Sequence, residues 1–283
     1  FPHGKPMSHD YVEASLLSGA GYGLWLLPDV DSYEELPTNF VDNMQREMRW
    51  MSGGLAWLRI FSGEKISPIY RTRLFLSAVN YFTTILGWAI FLFVLFGIRY
   101  MFLHPLASRM IFDQYADVLR FFLFYFLFLL FTPFLSALVY IHKKRRLDQF
   151  GGFVKLVFSY LLTFLYTVFQ GPILNAQFTK MLVFWMRGKK VSWGEQHRDD
   201  REIGLGESWA LFGWMTAIGV ALSWLVFREV FVYDTPAVQQ ILGFPRWGML
   251  IWYVPLLSGL ILAPVFVRFT SCRFPILQRL RWF

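Results

Sequence analysis

The sequence predicts a mostly α-helical membrane protein, in which a polytopic bundle of transmembrane helices follows a short region outside the bilayer. Of its 283 residues, 56% are hydrophobic and 20% are aromatic. The apolar residues fall in uncharged blocks that are long enough to cross a bilayer. Basic residues cluster at the ends of these blocks, where the positive-inside rule places them.

The positive charge of the chain does not indicate a nucleic-acid-binding protein. The formal net charge is +8, but the basic residues form no continuous stripe. We therefore expect anionic lipid headgroups as partners and no nucleic acid. Cys272 is the only cysteine, which excludes an intrachain disulfide and a cysteine-rich metal site.

Uncharged blocks and basic clusters together predict the membrane topology. Arg71 and Arg73 precede the first block and place its start in the cytoplasm, while the basic run 143–146 returns the chain to that side. Loops at 99–117 and 228–246 would lie outside, and the C-terminus would lie in the cytoplasm. The crossings predicted in this way are 74–98, 121–141, 209–227 and 247–267.

The block 153–186 is interrupted by polar and helix-breaking residues, and basic clusters flank it on both sides. Two cytoplasmic flanks require an even number of crossings. We therefore expect two crossings that turn near Gly171 and Pro172, which gives six in total; a re-entrant hairpin would give four. Gln170, Asn175 and Gln177 either line a sugar path or tie helices together.

Residues 1–70 form the predicted non-membrane region, and 71–283 form the transmembrane domain with a cytoplasmic loop at 187–207. Helices are expected at 11–17 and from a cap at Thr38 or Asn39 to Met51, where Gly53 and Gly54 would end the second. A short strand is expected at 22–27, and a helix along the membrane interface at 55–61. The chain starts at Phe1 in a loop-like segment, so we expect it to be the C-terminal part of a longer protein.

Arg46, Arg49 and Trp50 are spaced to share one helical face. Two guanidinium groups beside an indole suit a diphosphate and a stacked sugar. The same face also suits a solvated amphipathic helix whose arginines reach a membrane surface.

The order of these motifs resembles processive family-2 glycosyltransferases. Ser8-His9-Asp10, then Gly21-Tyr22 and Arg46-x-x-Arg49-Trp50, follow the family's Thr-Glu-Asp and Gln/Arg-x-x-Arg-Trp motifs. The strings SHDYVEASL, SYEELPTNFVDN and RWMSGG are similar to the branch that makes the linear β-1,2-glucan backbone of osmoregulated periplasmic glucans. His9 and Arg46 depart from the commoner Glu and Gln of the family.

The resemblance implies an inverting, UDP-glucose-dependent hexosyltransferase. Asp10 would be the general base that deprotonates the acceptor hydroxyl, and Arg49 with Arg46 would stabilise the departing diphosphate. Trp50 would stack under the terminal acceptor sugar. The resemblance also implies that residues 1–70 are the end of an α/β GT-A glycosyltransferase domain.

Further expectations concern the groups and partners that the enzyme would use. Mg²⁺ or Mn²⁺ is expected in the full-length enzyme, with its Asp-x-Asp ligands before residue 1, so that this chain holds no metal site and binds donor weakly alone. The partners implied are a nucleotide sugar, a glucan acceptor, membrane lipids and periplasmic glucan-processing proteins. The location implied is the bacterial inner membrane, with residues 1–70 in the cytoplasm.

The loop 191–206 is similar to the gating loop that covers the nucleotide in processive relatives. Its candidate gating residues are Trp193, Gln196, Arg198, Asp199 and Asp200. A solvated charged connector is the other interpretation of the same residues.

Two other functions remain open from the sequence. A membrane polysaccharide synthase of the cellulose, chitin or hyaluronan type would use the same catalytic motif. A transporter or membrane scaffold without enzymatic activity would explain the apolar blocks. In an enzyme, Asp10 and Trp50 should border one cleft.

Overall fold

The structure is a computed structural model that describes residues 9–25, 27, 30, 37–59, 66–144, 147–148, 151–188, 201–233, 235–236, 240 and 253–272. Within these residues the chain forms helices and no strands. In chain order the α-helices are α1 His9–Gly19, α2 Phe40–Ala56, α3 Pro68–Val79, α4 Thr83–Leu103, α5 Pro105–Lys144, α6 Phe153–Met186, α7 Leu205–Tyr233, α8 Val254–Ile261 and α9 Ala263–Thr270. The mostly helical prediction is confirmed.

Helix α1 forms where the sequence predicts it and ends at the predicted glycine-rich break. Gly21 has a φ of +89°, which a side chain would oppose, and the Tyr22 N–H donates to the Leu17 carbonyl at 3.0 Å. The strand expected at 22–27 is wrong, because the described residues there have no regular structure. A strand needs a neighbouring strand for its backbone hydrogen bonds, and the described residues supply none.

Helix α2 starts at the predicted cap, since the Asn39 side chain accepts the Asp42 N–H at 2.9 Å. The predicted stop is wrong: Gly53 and Gly54 are buried within the helix, which continues to Ala56. Of the interfacial helix expected at 55–61, residues 55–56 end α2 and residues 57–59 form a 3₁₀ turn, and its location along a membrane stays a prediction. Leu55 is 0% exposed at the end of α2, and Trp57 is 6% exposed in a 3₁₀ turn, so both pack inside the protein.

Three helical segments of the described chain are long and apolar enough to cross a membrane: Pro68–Gly97, Phe153–Met186 and Leu205–Val232. The first joins α3 to α4 through a 3₁₀ turn at Asn80–Phe82. In that turn the Thr83 hydroxyl donates to the Asn80 carbonyl at 2.6 Å and the Thr84 hydroxyl to the Tyr81 carbonyl at 2.9 Å. These hydroxyl bonds add to the backbone bonds that the Thr83 N–H donates to the same two carbonyls.

The loop predicted at 99–117 is wrong, because α4 runs to Leu103 and α5 begins at Pro105. Proline suits the first position of a helix, so the chain bends at His104 and becomes helical again. The predicted crossing 121–141 lies on α5. Similarly, residues 228–233 of the second predicted loop continue α7, and the described part of 247–267 is divided between α8 and α9.

The hairpin predicted within 153–186 is wrong, as is the re-entrant alternative. Helix α6 is continuous over 34 residues with Pro172 inside it. At a rise of about 1.5 Å per residue it is roughly 51 Å long, which exceeds a hydrocarbon core of about 30 Å. Proline is tolerated inside membrane helices because neighbouring groups satisfy the backbone around it. The six-crossing count required this hairpin, so it loses that support.

Contacts divide the chain into two compact units. The first comprises Phe1–Phe91, Ile173–Met215 and Leu262–Phe283. In it, Met51 and Leu55 of α2 pack in one buried cluster with Met181 and Leu182 of α6. The Trp88 indole N–H donates to the Thr179 hydroxyl at 2.9 Å, which ties α4 to α6.

The second unit comprises Leu92–Pro172 and Thr216–Ile261. Gly259 of α8 packs on α6, where an added Cβ would lie 2.8 Å from Pro172 Cγ. The Glu229 side chain is 6% exposed and lies near the guanidinium groups of Arg228 and Arg99. A buried carboxylate near the end of a long apolar helix is thereby paired with cations.

Candidate functional site

A hollow of about 630 Å³ opens in the first unit between α1, α2 and α3. Asp10 and Trp50, the two residues expected to border one cleft, both line it. The described residues that complete the lining are Tyr11, Trp57, Arg73, Leu76, Ser77, Asn80 and Tyr81. The volume lies in the usual range of small-molecule sites.

Asp10 lies in the first turn of α1, where a carboxylate is favoured by the helix dipole. Its side chain is exposed. Helix α1 is fixed below it by Val12, which is 0% exposed and packs against Trp57 and Leu74. The carboxylate is thus held at the rim of the hollow by a packed helix.

Trp50 is 47% exposed and lies on α2 beside Arg46. The Arg46 guanidinium carbon is 4.7 Å from the centre of the indole ring, a cation–π contact. Arg46 Nη2 also donates to Asn43 Oδ1 at 2.8 Å, and its Nε–H is buried with no acceptor among the described residues. Of the three residues predicted to share one helical face, Arg46 and Trp50 lie in contact.

Arg49 is placed differently from Trp50. Its side chain is half-buried, and it is not among the described residues that line the hollow. Arg46 is also absent from the lining, and its side chain is 15% exposed. The structure therefore brings Asp10 and Trp50 together at one hollow, with Arg46 directly behind the indole.

Sequence reasoning missed most of the α3 wall of the hollow. Arg73, Ser77 and Asn80 recur at intervals of four and three residues, which places them on one helical face. This spacing was a detectable signal: it is a polar stripe at the beginning of an apolar segment. The topology prediction uses Arg73 alone, and no motif includes Ser77 or Asn80.

Aromatic rings close the hollow at its α1 end. The rings of Tyr11 and Trp57 meet edge to face with centroids 5.4 Å apart. The Arg73 guanidinium carbon lies 5.7 Å from the centre of the Tyr11 ring. Flat apolar faces and separate polar groups therefore line the same space, a combination that suits a sugar, whose ring has apolar faces and polar edges.

Gly54 allows Tyr81, which lines the hollow, to approach α2 closely. A Cβ added at Gly54 would lie 2.8 Å from Tyr81 Cε2, so only glycine allows this approach of α2 to the 3₁₀ turn. The Tyr81 ring packs edge to face on Phe178 of α6, with centroids 5.7 Å apart. Tyr81 is thus held between α2 and α6.

The remaining polar candidates are Asn175 and the predicted gating residues. Asn175 packs on α4, where a Cβ added at Gly87 would lie 3.1 Å from its amide nitrogen. That contact favours the interpretation that Asn175 ties helices together. The predicted gating residues Trp193, Gln196, Arg198, Asp199 and Asp200 lie outside the described residues.

Comparison with known proteins gives a consistent set of relatives. The chain is 31% identical over 294 aligned positions to glucans biosynthesis glucosyltransferase H of Citrobacter koseri, covering 99% of this chain and 32% of that protein. It is 30% identical, with the same coverage, to the proteins of that name from Klebsiella pneumoniae and Escherichia coli K12.

The chain resembles glucans biosynthesis glucosyltransferase H. The resemblance predicted from the motifs is thereby confirmed, and it extends over nearly all of the chain. The chain spans about a third of the length of the curated glucosyltransferases H that it matches. No family model matches it, and no solved structure matches it.

Proposed function

We propose that this chain is the acceptor-binding and membrane part of an inverting glucosyltransferase that elongates a linear β-1,2-glucan from UDP-glucose. The observation that carries the proposal is that Asp10 and Trp50 line one hollow. A general base and a sugar-stacking ring must lie within reach of the same acceptor, and a shared hollow supports these two roles. The names of the glucosyltransferase relatives support the same reaction class.

In the transfer step, Asp10 accepts a proton. Its carboxylate takes the proton from the acceptor hydroxyl as that oxygen attacks the anomeric carbon of the donor. The bond from the anomeric carbon to the phosphate oxygen breaks, and the diphosphate leaves with the bonding electrons. A single displacement of this kind inverts the anomeric configuration.

Trp50 holds the acceptor sugar on its exposed indole face, which the contact with Arg46 keeps in place. Arg46 and Arg49 stabilise the negative charge of the departing diphosphate.

No metal-dependent step is assigned to these residues. In the described part of the chain, no group of three or more His, Cys, Asp or Glu side chains is arranged to hold a metal ion. From the resemblance alone, the Mg²⁺ or Mn²⁺ of the full-length enzyme is proposed to be held by the Asp-x-Asp motif of the family. Its expected chemistry is to neutralise the donor diphosphate.

The membrane helices suggest where the product goes. Helix α3 lines the hollow and begins the apolar segment Pro68–Gly97, so the growing glucan would leave the site directly beside a membrane-spanning helix. We propose a multi-pass protein of the bacterial inner membrane with the hollow on the cytoplasmic side and synthesis coupled to translocation. Periplasmic glucan-processing proteins would then receive the product. Residues 193–200 are proposed to cover the donor during transfer.

Membranes that contain the full-length protein provide the test of this function. They should transfer labelled glucose from UDP-glucose to a polymer whose linkage analysis gives β-1,2 bonds. A β-1,4 or alternating product would assign the chain to a different polysaccharide synthase. Failure to transfer any sugar from nucleotide donors would contradict enzymatic function.

A further inference from the structure

Helix α2, which carries Arg46 and Trp50, begins in a buried polar network. Asn39 is 4% exposed and Asp42 is 0% exposed. Asn39 Nδ2 donates to Asp42 Oδ2 at 2.6 Å, and the Asp42 backbone N–H donates back to Asn39 Oδ1 at 2.9 Å. A charged group buried to this extent needs a cation nearby.

That cation is Arg201, which lies just before α7. Its Nη2 is 3.6 Å from Asp42 Oδ1, the carboxylate oxygen that has no hydrogen-bond partner among the described residues. Arg201 Nη1 also donates to Glu207 Oε1 at 2.9 Å, and this bond is the main cause that raises the pKa of Arg201. Arg201 therefore keeps its charge between an exposed acid on α7 and a buried acid on α2.

The segment that carries Arg201 is itself fixed. Arg268 Nη1 on α9 donates to the Ile203 carbonyl at 2.9 Å and lies 3.6 Å from Glu202 Oε2. The Phe40 ring meets Phe212 of α7 and Phe266 of α9 edge to face. The start of α2 is thus seated on a fixed support, and Arg201 supplies its charged contact.

A displacement at this end of α2 reaches the hollow. Asp42 and Trp50 lie on the same helix about 12 Å apart along its axis, since each residue adds about 1.5 Å. A helix moves as a rigid element over such a length. Any shift or rotation at Asp42 would therefore move the Trp50 indole relative to Asp10, which lies on a different helix.

We propose that Arg201 is a positioning residue that fixes α2 through Asp42 and so keeps Trp50 at the hollow that Asp10 lines. The catalytic meaning of this role rests on the proposed function, because it takes the hollow as the acceptor site. Glu207 serves as the matched control: its carboxylate contacts the same guanidinium, but it belongs to α7 and not to α2.

The first arm of the test measures the ratio of glucan elongation to donor hydrolysis in membranes that contain the full-length protein. Arg201→Gln and Asp42→Asn should each lower this ratio about tenfold to a hundredfold, the scale of a small misplacement in a reacting complex. The double variant should lower this ratio no further than the more impaired of the two single variants does. Arg201→Lys should recover part of the loss, and Glu207→Gln should keep the parent ratio.

The second arm measures geometry without activity. Spin labels are placed at Leu17→Cys on α1 and Gln45→Cys on α2 in the full-length protein, in a background where Cys272 and any cysteine outside this chain are replaced by Ser. The parent should give one narrow distance distribution. Arg201→Gln and Asp42→Asn should shift or broaden it, and Glu207→Gln should not.

The two arms separate the two hypotheses. If the parent transfers no sugar, the proposed function fails, and the label distances still decide the role of Arg201. A parent-like distance distribution in both Arg201→Gln and Asp42→Asn would overturn the inference. If Arg201→Gln does not fold, Asp42→Asn, which retains a side chain that can bond to Asn39, supplies the same comparison.

Discussion

The Trp50 indole lies beneath the Arg46 guanidinium, with 4.7 Å between the guanidinium carbon and the ring centre, and it lines the hollow that Asp10 also borders. Arg46 is held in turn by Asn43, one turn earlier on α2. Neighbours on its own helix therefore hold the indole, so its orientation does not depend on a bound sugar. A stacking platform that is already formed reduces the cost of ordering it when the acceptor binds.

Trp50→Ala should weaken acceptor binding while donor hydrolysis continues. Loss of a contact of about 1.4 kcal/mol would raise the acceptor KM about tenfold. Elongation assays at varied acceptor concentration, with UDP release measured in parallel, check this. Trp25→Ala is the control, because Trp25 is 88% exposed and does not line the hollow. Equal effects of the two variants would remove the special role of Trp50.

Gly54→Ala should destabilise the protein and displace the Tyr81 wall. The new Cβ would lie 2.8 Å from Tyr81 Cε2, and overpacking of this kind costs about 1–3 kcal/mol. Thermal unfolding in detergent measures the loss. Gly97→Ala is the control, since nothing lies within 4 Å of its added Cβ and alanine favours a helix. Adding Tyr81→Leu to Gly54→Ala should recover stability; no recovery would contradict the steric explanation.

Thr179→Val should weaken the tie between α4 and α6 by about 0.5–1.5 kcal/mol, because the Trp88 indole N–H would lose its acceptor. A double-mutant cycle with Trp88→Phe, read by unfolding in detergent, checks this. The two changes should be non-additive. Thr163→Val on the same helix is the control, because among the described residues its hydroxyl bonds only to the Ser159 carbonyl one turn earlier. Additive costs for Trp88 and Thr179 would show that the hydrogen bond contributes little.

Local signals in the sequence predicted local features well. The Asn39 cap, the break after α1 and the apolar segment that became Leu205–Val232 each depend on a few neighbouring residues. The shared side of Arg46 and Trp50 followed from helical spacing alone. Such features could be read because the physics that forms them acts over about one or two helical turns.

Features that depend on contacts between residues far apart in sequence could not be predicted correctly. The pair Gly53-Gly54 predicts a helix end, whereas in the structure Gly54 makes room for Tyr81, which is distant in sequence. Pro172 predicts a turn, whereas α6 continues past it and Gly259 packs against its ring. The Asp42–Arg201 pair could not be predicted either, because no periodicity links the two residues.

Asp10→Asn gives the most direct measurement of the central claim that Asp10 acts as the base beside the acceptor-binding ring. In membranes that contain the full-length protein, transfer of labelled glucose from UDP-glucose should fall by about 10²–10⁴-fold, the usual contribution of a general base. Donor binding should stay close to that of the parent. Glu13→Gln, which alters another exposed carboxylate of α1, should leave transfer nearly intact. Parent-level transfer by Asp10→Asn would contradict the account.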